Sequence, residues 1–259
     1  MKPLENSNIF ITKSKEEITA NFLSLENYCN KIFYMPTIKI KSLISDEIYN
    51  ELKNKFEKFD YIIFTSKNSV EVFAVFLTQE KKLITNKIIV AIGDATSKKC
   101  AELNLSVDII PDNFSAEGLI TYFSKINVKG KYFLIPTSKL ATNELKNALE
   151  KFGAVVDSIN IYDVVPNYEI KNIISETELN TIDIYAFTSP CSFKYFLTVF
   201  EIDDIDKFFN KKIICAIGKT TEKAINNYEL NVNVVPQNYS LDFLAEAIIK
   251  FYKLQKNIV

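Results

Sequence analysis

The chain has 259 residues, long for one domain and comfortable for two, and 47% of them are hydrophobic. A net charge of −1 and a pI of about 5.8 leave no basic face for duplex nucleic acid. All 31 basic residues are lysine and there is no histidine, which excludes a histidine-based triad, a histidine zinc site and an arginine phosphate clamp.

The opening "MKPLENSNIFITKSK" lacks the apolar core of a signal peptide, and no run reaches the roughly eighteen apolar residues of a membrane span. The expectation is a cytoplasmic protein that binds no membrane. In chain order, short apolar runs predict buried parallel strands at Ile9–Thr12, Ile32–Tyr34, Tyr61–Thr65, Ile88–Ile92 and Val107–Ile110. Val70, Phe73, Ala74 and Leu77 fall at helical spacing, with Asn68 and Glu71 spaced as a capping box before them. Ser115 and Ser240 precede apolar helices as caps, and Ser189 before Pro190 is a cap followed by proline at the first helical position. Strands alternating with helices predict parallel sheets covered on both faces.

The chain is written twice. Phe64-Thr65-Ser66 recurs as Phe187-Thr188-Ser189 (189 − 66 = 123), and "NIFITK" at 8–13 matches "KYFLIP" at 131–136 with the same offset. Ala91-Ile92-Gly93 recurs as Ala216-Ile217-Gly218 (218 − 93 = 125). That offset persists through Thr96 and Thr221, Pro111 and Pro236, Asn113 and Asn238, Ser115 and Ser240, and Leu119 and Leu244. A period this long is a duplicated domain, not a solenoid. The segments "MPTIKIK" (35–41) and "INIYDVVPN" (159–167) are candidate connections.

Both repeated motifs stand where a strand hands over to a helix, the edge at which open α/β sheets bind ligands. Thr65, Ser66, Thr188 and Ser189 end one strand of each half; Gly93 with Thr96, and Gly218 with Thr220 and Thr221, end the next. Free helix N-terminal N–H groups and hydroxyls there suit a carboxylate or phosphate. Each hydroxyl taken singly also reads as a plain helix cap. The nucleotide readings fail: five glycines supply neither GxGxxG nor GxxxxGK[ST]. The four cysteines show no ligand spacing and read as reduced thiols, with Cys191 near a helix start but without a histidine base. Asp203-Asp204 reads as solvent-facing charge.

The ordered pattern "FTS…AIG.(A/T)T…P.N.S…L", with "TKSKEE", "FTSKNSVEVF", "AIGDATSKK" and "LKNALEKFGAVVDSINIYDVV", resembles the uroporphyrinogen-III synthase family over essentially the whole chain. The resemblance implies two flavodoxin-like α/β domains joined by a two-stranded connector, with substrate in the cleft between them. Carried over, residues 1–35 with 168–259 form one domain, 42–158 the other, and 36–41 and 159–167 the connector strands. It implies a lyase that closes hydroxymethylbilane, a linear tetrapyrrole with eight carboxylates, through a spiro intermediate with ring D inverted. No metal or cofactor is implied.

The family's tyrosine near the connector matches Tyr162, as proton donor to the departing hydroxyl or as an aromatic packing the connector. Thr65, Ser66, Gly93, Thr96, Ser115, Thr188, Ser189, Gly218, Thr220 and Thr221 are the expected substrate contacts. Lys13 and Thr142 stand where arginines are common, so a side-chain grip by those loops is not expected. Further expectations are a monomer and a transient contact with hydroxymethylbilane synthase. A two-domain binding protein for a small anion and a non-catalytic paralogue are the alternatives.

Overall fold

The computed structural model describes residues 2–79, 84 and 86–256. The chain begins with β1 (Asn8–Ile11), α1 (Ala20–Leu23), β2 (Lys31–Tyr34), β3 (Ile38–Ser42) and α2 (Asp46–Lys55). It continues through β4 (Tyr61–Phe64), α3 (Lys67–Gln79), β5 (Ile88–Ala91), α4 (Asp94–Glu102), α5 (Ala116–Phe123), β6 (Tyr132–Ser138), α6 (Glu144–Lys151) and β7 (Val155–Pro166). The remainder is α7 (Glu176–Asn180), β8 (Ile184–Phe187), α8 (Pro190–Phe200), α9 (Ile205–Phe209), β9 (Ile213–Ala216), α10 (Lys219–Asn226) and α11 (Leu241–Lys256). Two compact units result: Met1–Lys39 with Val165–Val259, and Ile40–Val164. The chain leaves the first unit within β3 and returns to it within β7.

The first unit carries a sheet of order β2-β1-β8-β9, and each of its strand pairs is parallel. Val234 adds a parallel bridge beside Cys215 of β9. Counted along the chain, that is the 2-1-3-4-5 order of flavodoxin-like sheets. Successive side chains leave a strand on opposite faces. Phe10 therefore joins Tyr185, Phe187 and Phe196 in one core layer, while Ile9 and Ile11 join Ile184, Leu244 and Ile248 in the other. Burial on both faces explains why these strands are unbroken apolar runs.

The second unit's sheet has the order β3-β7-β6-β4-β5. Ile109 bridges Val90 of β5 in parallel, as Val234 bridges Cys215. With β6 counted as the counterpart of β1, the arrangement β7-β6-β4-β5-Ile109 repeats the first unit's order. Phe64, Phe73 and Phe76 pack on one face, and Ile63, Leu119 and Phe123 on the other.

Two local expectations are corrected. Val107–Ile110 is not a strand but the single bridge at Ile109. The Asp108 carboxylate accepts the Ile89 N–H at 2.7 Å, taking the place a neighbouring strand's carbonyl would hold. Asn233 does the same for Ile214 at 2.8 Å. Asn68 and Glu71 form no capping box: α3 starts two residues earlier than that box requires, and the Ser66 hydroxyl accepts the Ser69 N–H at 3.0 Å. Glu71 pairs instead with Lys99 at 2.9 Å. Val70, Phe73 and Leu77 are buried as their spacing predicts, with Phe76 in place of the half-buried Ala74.

Candidate functional site

The carboxyl edge of the second unit is organised by Ser66. Its hydroxyl caps α3 and lies 2.9 Å from the phenolic oxygen of Tyr162, which β7 delivers opposite Ser138 of β6. The register of β6 and β7 shifts between Thr137 and Ser138, at the point where Tyr162 is brought to the edge. Tyr162 is only 5% exposed. Burial raises its pKa above the ordinary phenol value, against the opposing effect of the Ser66 and Ser138 hydroxyls.

The first unit repeats the cap with more hydroxyls. Ser189 accepts the Ser192 N–H and the Ser192 hydroxyl accepts the Ser189 N–H, both at 3.0 Å, a reciprocal capping box built from two serines. Thr12, at the end of β1, lies 3.1 Å from the Thr188 hydroxyl and donates to Ser192 at 3.0 Å. Thr37 donates to the Ser192 carbonyl at 2.8 Å. Thr188 and Ser189 are thus held by a network that leaves them half-buried at the strand end.

The glycine turns also have a packing reason. Gly93 and Gly218 have extended backbones, with φ of 178° and −174°, so no left-handed conformation demands glycine. A side-chain carbon at Gly93 would lie 2.8 Å from Cγ of Phe114, and one at Gly218 would lie 2.8 Å from Cγ of Tyr239. The two rings are themselves a repeat pair (239 − 114 = 125) and are 55% and 57% exposed. Each glycine therefore makes room for a ring.

The helix starts at these turns still offer donors. Gly93 and Gly218 cap α4 and α10 without a side chain, and their carbonyls accept the N–H groups of Thr96 and Thr221 at 3.1 Å. Thr96 and Thr221 are 3% exposed, facing inward on their helices, whereas Thr220 is exposed. Ser115 caps α5, accepting the Gly118 N–H at 3.1 Å, and Ser240 caps α11. Thr65 lines a small cavity at the same edge of the second unit.

Tyr162 and Ser66 are therefore in contact, and Thr188 and Ser189 share one network. Sequence reading missed Thr12, Thr37, Ser69 and Ser192, and it missed the two rings. Ser69 and Ser192 carried a usable signal, since they repeat with the offset of 123 that relates Ser66 to Ser189. Of the cysteines, Cys29, Cys100 and Cys215 are buried, and burial pushes the Cys29 and Cys100 thiols up to about 11. Cys191 is half-buried, one residue beyond Pro190. Among the described residues no group of three or more acidic or cysteine side chains is placed to hold a metal, and no helix is long and apolar enough to cross a membrane.

Comparison with known proteins bears on what this edge serves. A family model described as uroporphyrinogen-III synthase HemD matches residues 24–246. A uroporphyrinogen-III synthase of Chlorobaculum parvum is 25% identical over 254 residues, covering 95% of this chain and 99% of that protein. A putative uroporphyrinogen-III synthase of Methanocaldococcus jannaschii is 28% identical, covering 93% and 97%. In fold, the chain is similar to the solved uroporphyrinogen-III synthetase of Helicobacter pylori, with a TM-score of 0.65 at 18% identity over 94% of this chain and 99% of that one.

Proposed function

Because the chain belongs to the uroporphyrinogen-III synthase family, a family of cyclising lyases in haem biosynthesis, we propose that its duplicated strand-end caps hold hydroxymethylbilane by its acid arms. The observation that carries this reading is the repetition of the caps in hydrogen-bond detail, Ser66 with Ser69 and Ser189 with Ser192. Each copy sets a helix N-terminus and a hydroxyl beside the end of a buried strand. A carboxylate accepting such bonds gains roughly 1.5–3 kcal/mol from each. A ligand with acid groups along its whole length makes use of more than one such edge.

The chemistry asks for orientation more than for a strong reagent. The pyrrole nitrogen's electrons expel the terminal hydroxyl, which leaves as water after taking a proton from Tyr162. The methylene carbon so exposed is attacked by the substituted carbon of ring D, giving the spiro intermediate. The methylene that joined ring C to that carbon then detaches from it and bonds to the free α carbon of ring D, whose proton is lost and replaces the one Tyr162 gave. One water is released in all and no electron is exchanged, so neither oxidant nor reductant enters. Holding the chain so that the substituted carbon is the near one is differential binding of the transition state. The reading includes a cytoplasmic location and a transient contact with hydroxymethylbilane synthase, which supplies the substrate.

A thermal-shift comparison tests the grip. Uroporphyrin, with its acid arms intact, is expected to raise Tm at micromolar concentration, while neutral sugars and amino acids do not. Equal response to all of them would contradict it.

A further inference from the structure

The second unit contains a cavity of about 120 Å³ at its carboxyl edge, lined by Thr65, Thr137, Thr142 and Lys146 together with Ile135 and Ala116. Thr137 is 6% exposed, and its hydroxyl has no hydrogen-bond partner among the described residues. The hydroxyl is open to the cavity and is free to bond whatever occupies it. Thr65, half-buried, lines the same cavity without a side-chain bond among the described residues, and the repeat explains why. In the first unit the counterpart of Thr65 is Thr188, tied down by Thr12. In sheet register the counterpart of Thr12 in the second unit is Pro136, since β6 sets Phe133 beside Tyr61 where β1 sets Ile9 beside Ile184, and proline has no hydroxyl to offer.

The wall formed by α6 carries both charges in its first turn, Glu144 and Lys146, with Lys146 lining the cavity. Asn143 caps the helix without a side-chain bond, so the first-turn N–H groups have no side-chain acceptor. Lys146 also sits in that first turn, where the helix dipole disfavours a cation unless an anion sits beside it. Its ion pair with Glu150 is long, at 3.9 Å, and solvent-exposed, so it holds the ammonium weakly.

Resting on the proposed function, we propose that this cavity is a carboxylate subsite that takes one acid arm of the tetrapyrrole. Lys146 supplies the charge, Thr137 and Thr65 donate from their hydroxyls, and the α6 N-terminus completes the shell. The second unit thereby has a grip that the first lacks, an asymmetry suited to telling one end of a linear substrate from the other.

The test compares Lys146→Gln, Lys146→Arg and Thr137→Val with the parent protein. The readouts are KM and kcat with hydroxymethylbilane and equilibrium binding of uroporphyrin. Lys146→Gln is expected to raise KM and weaken uroporphyrin binding by about tenfold, the usual loss for one charge-assisted hydrogen bond. Lys146→Arg should return both to within about twofold. Thr137→Val, nearly isosteric, should raise KM by about threefold with Tm retained. Unchanged KM and uroporphyrin affinity in Lys146→Gln would overturn the proposal, as would a loss confined to kcat. Failure of the parent to form the type III isomer would strike the proposed function instead, while uroporphyrin binding would still report on the subsite.

Discussion

The Tyr162 hydroxyl lies 2.9 Å from the hydroxyl of Ser66, whose oxygen already accepts the Ser69 N–H. One hydrogen bond joins the two hydroxyls, so whichever donates, one O–H proton of the pair is left for a ligand. If Ser66 donates, the free proton is the phenol's, as the departing hydroxyl requires. Tyr162→Phe should therefore lower kcat by about 100-fold, the low end of general acid catalysis, with a smaller change in KM. Ser66→Ala should lower kcat less, and the double variant should fall short of the product of the two, since the residues act as a unit. Steady-state kinetics of the three variants decides this, and unchanged turnover in Tyr162→Phe would assign the ring to packing.

The raised pKa of Tyr162 fixes the sign of its pH dependence. A phenol whose pKa lies above the reference value of about 10 keeps its proton through the neutral range. The acid is then competent across that range and lost only in strong alkali. A kcat profile from pH of about 6 to 9 should show no falling limb from this group. A limb within that range, absent from Tyr162→Phe, would contradict the assignment.

Stability should likewise decline on the alkaline side. Burial pushes Cys29 and Cys100 up to about 11 and Tyr252 up to about 12. Groups raised in the folded state favour folding fully below their unfolded values, about 8.5 for thiols and about 10 for phenols. That contribution is lost as pH rises through the folded values. Urea midpoints should therefore be constant from pH of about 7 to 8 and fall by pH of about 10. The same burial makes thiol labelling selective: of the four cysteines, Cys191 should react with a disulfide reagent in the native state, and the other three only on unfolding. Equal reactivity of all four in the native protein would contradict the packing.

The glycine turns give a stability prediction. At Gly93 an added methyl group would meet Cγ and Cβ of Phe114, atoms near the ring's root that cannot simply swing aside. Gly93→Ala should destabilise by about 1–3 kcal/mol, the usual cost of overpacking. Adding Phe114→Ala should recover most of it, and chemical denaturation of the single and double variants measures both. No recovery would mean that the glycine serves the backbone and not the ring.

Much of the fold was legible because β1, β2, β4 and β5 are buried on both faces and so read as continuous apolar runs. The Val107–Ile110 segment has the same apolar look, but the Asp108 carboxylate satisfies Ile89 directly and the ladder stops at one bridge. At α3, Asn68 and Ser66 both looked like caps in principle. The strand ends at Phe64, and the earlier hydroxyl reaches the free N–H first. The repeat located the strand-end serines before any coordinates. It could not show that Phe114 covers Gly93 across 21 residues of chain (114 − 93), since that contact exists only once α4 and α5 are placed. Nor could it show the cavity beside Thr137, which arises where the two copies differ, at Thr12 and Pro136.

As a member of the uroporphyrinogen-III synthase family, this chain directs ring closure of hydroxymethylbilane. Generated in situ, that substrate closes spontaneously to the symmetric type I isomer, so product composition reports directly on the protein. Chromatographic separation of the oxidised isomers should show type III rising with added protein until it dominates. Product that remains type I at every protein concentration would contradict the account.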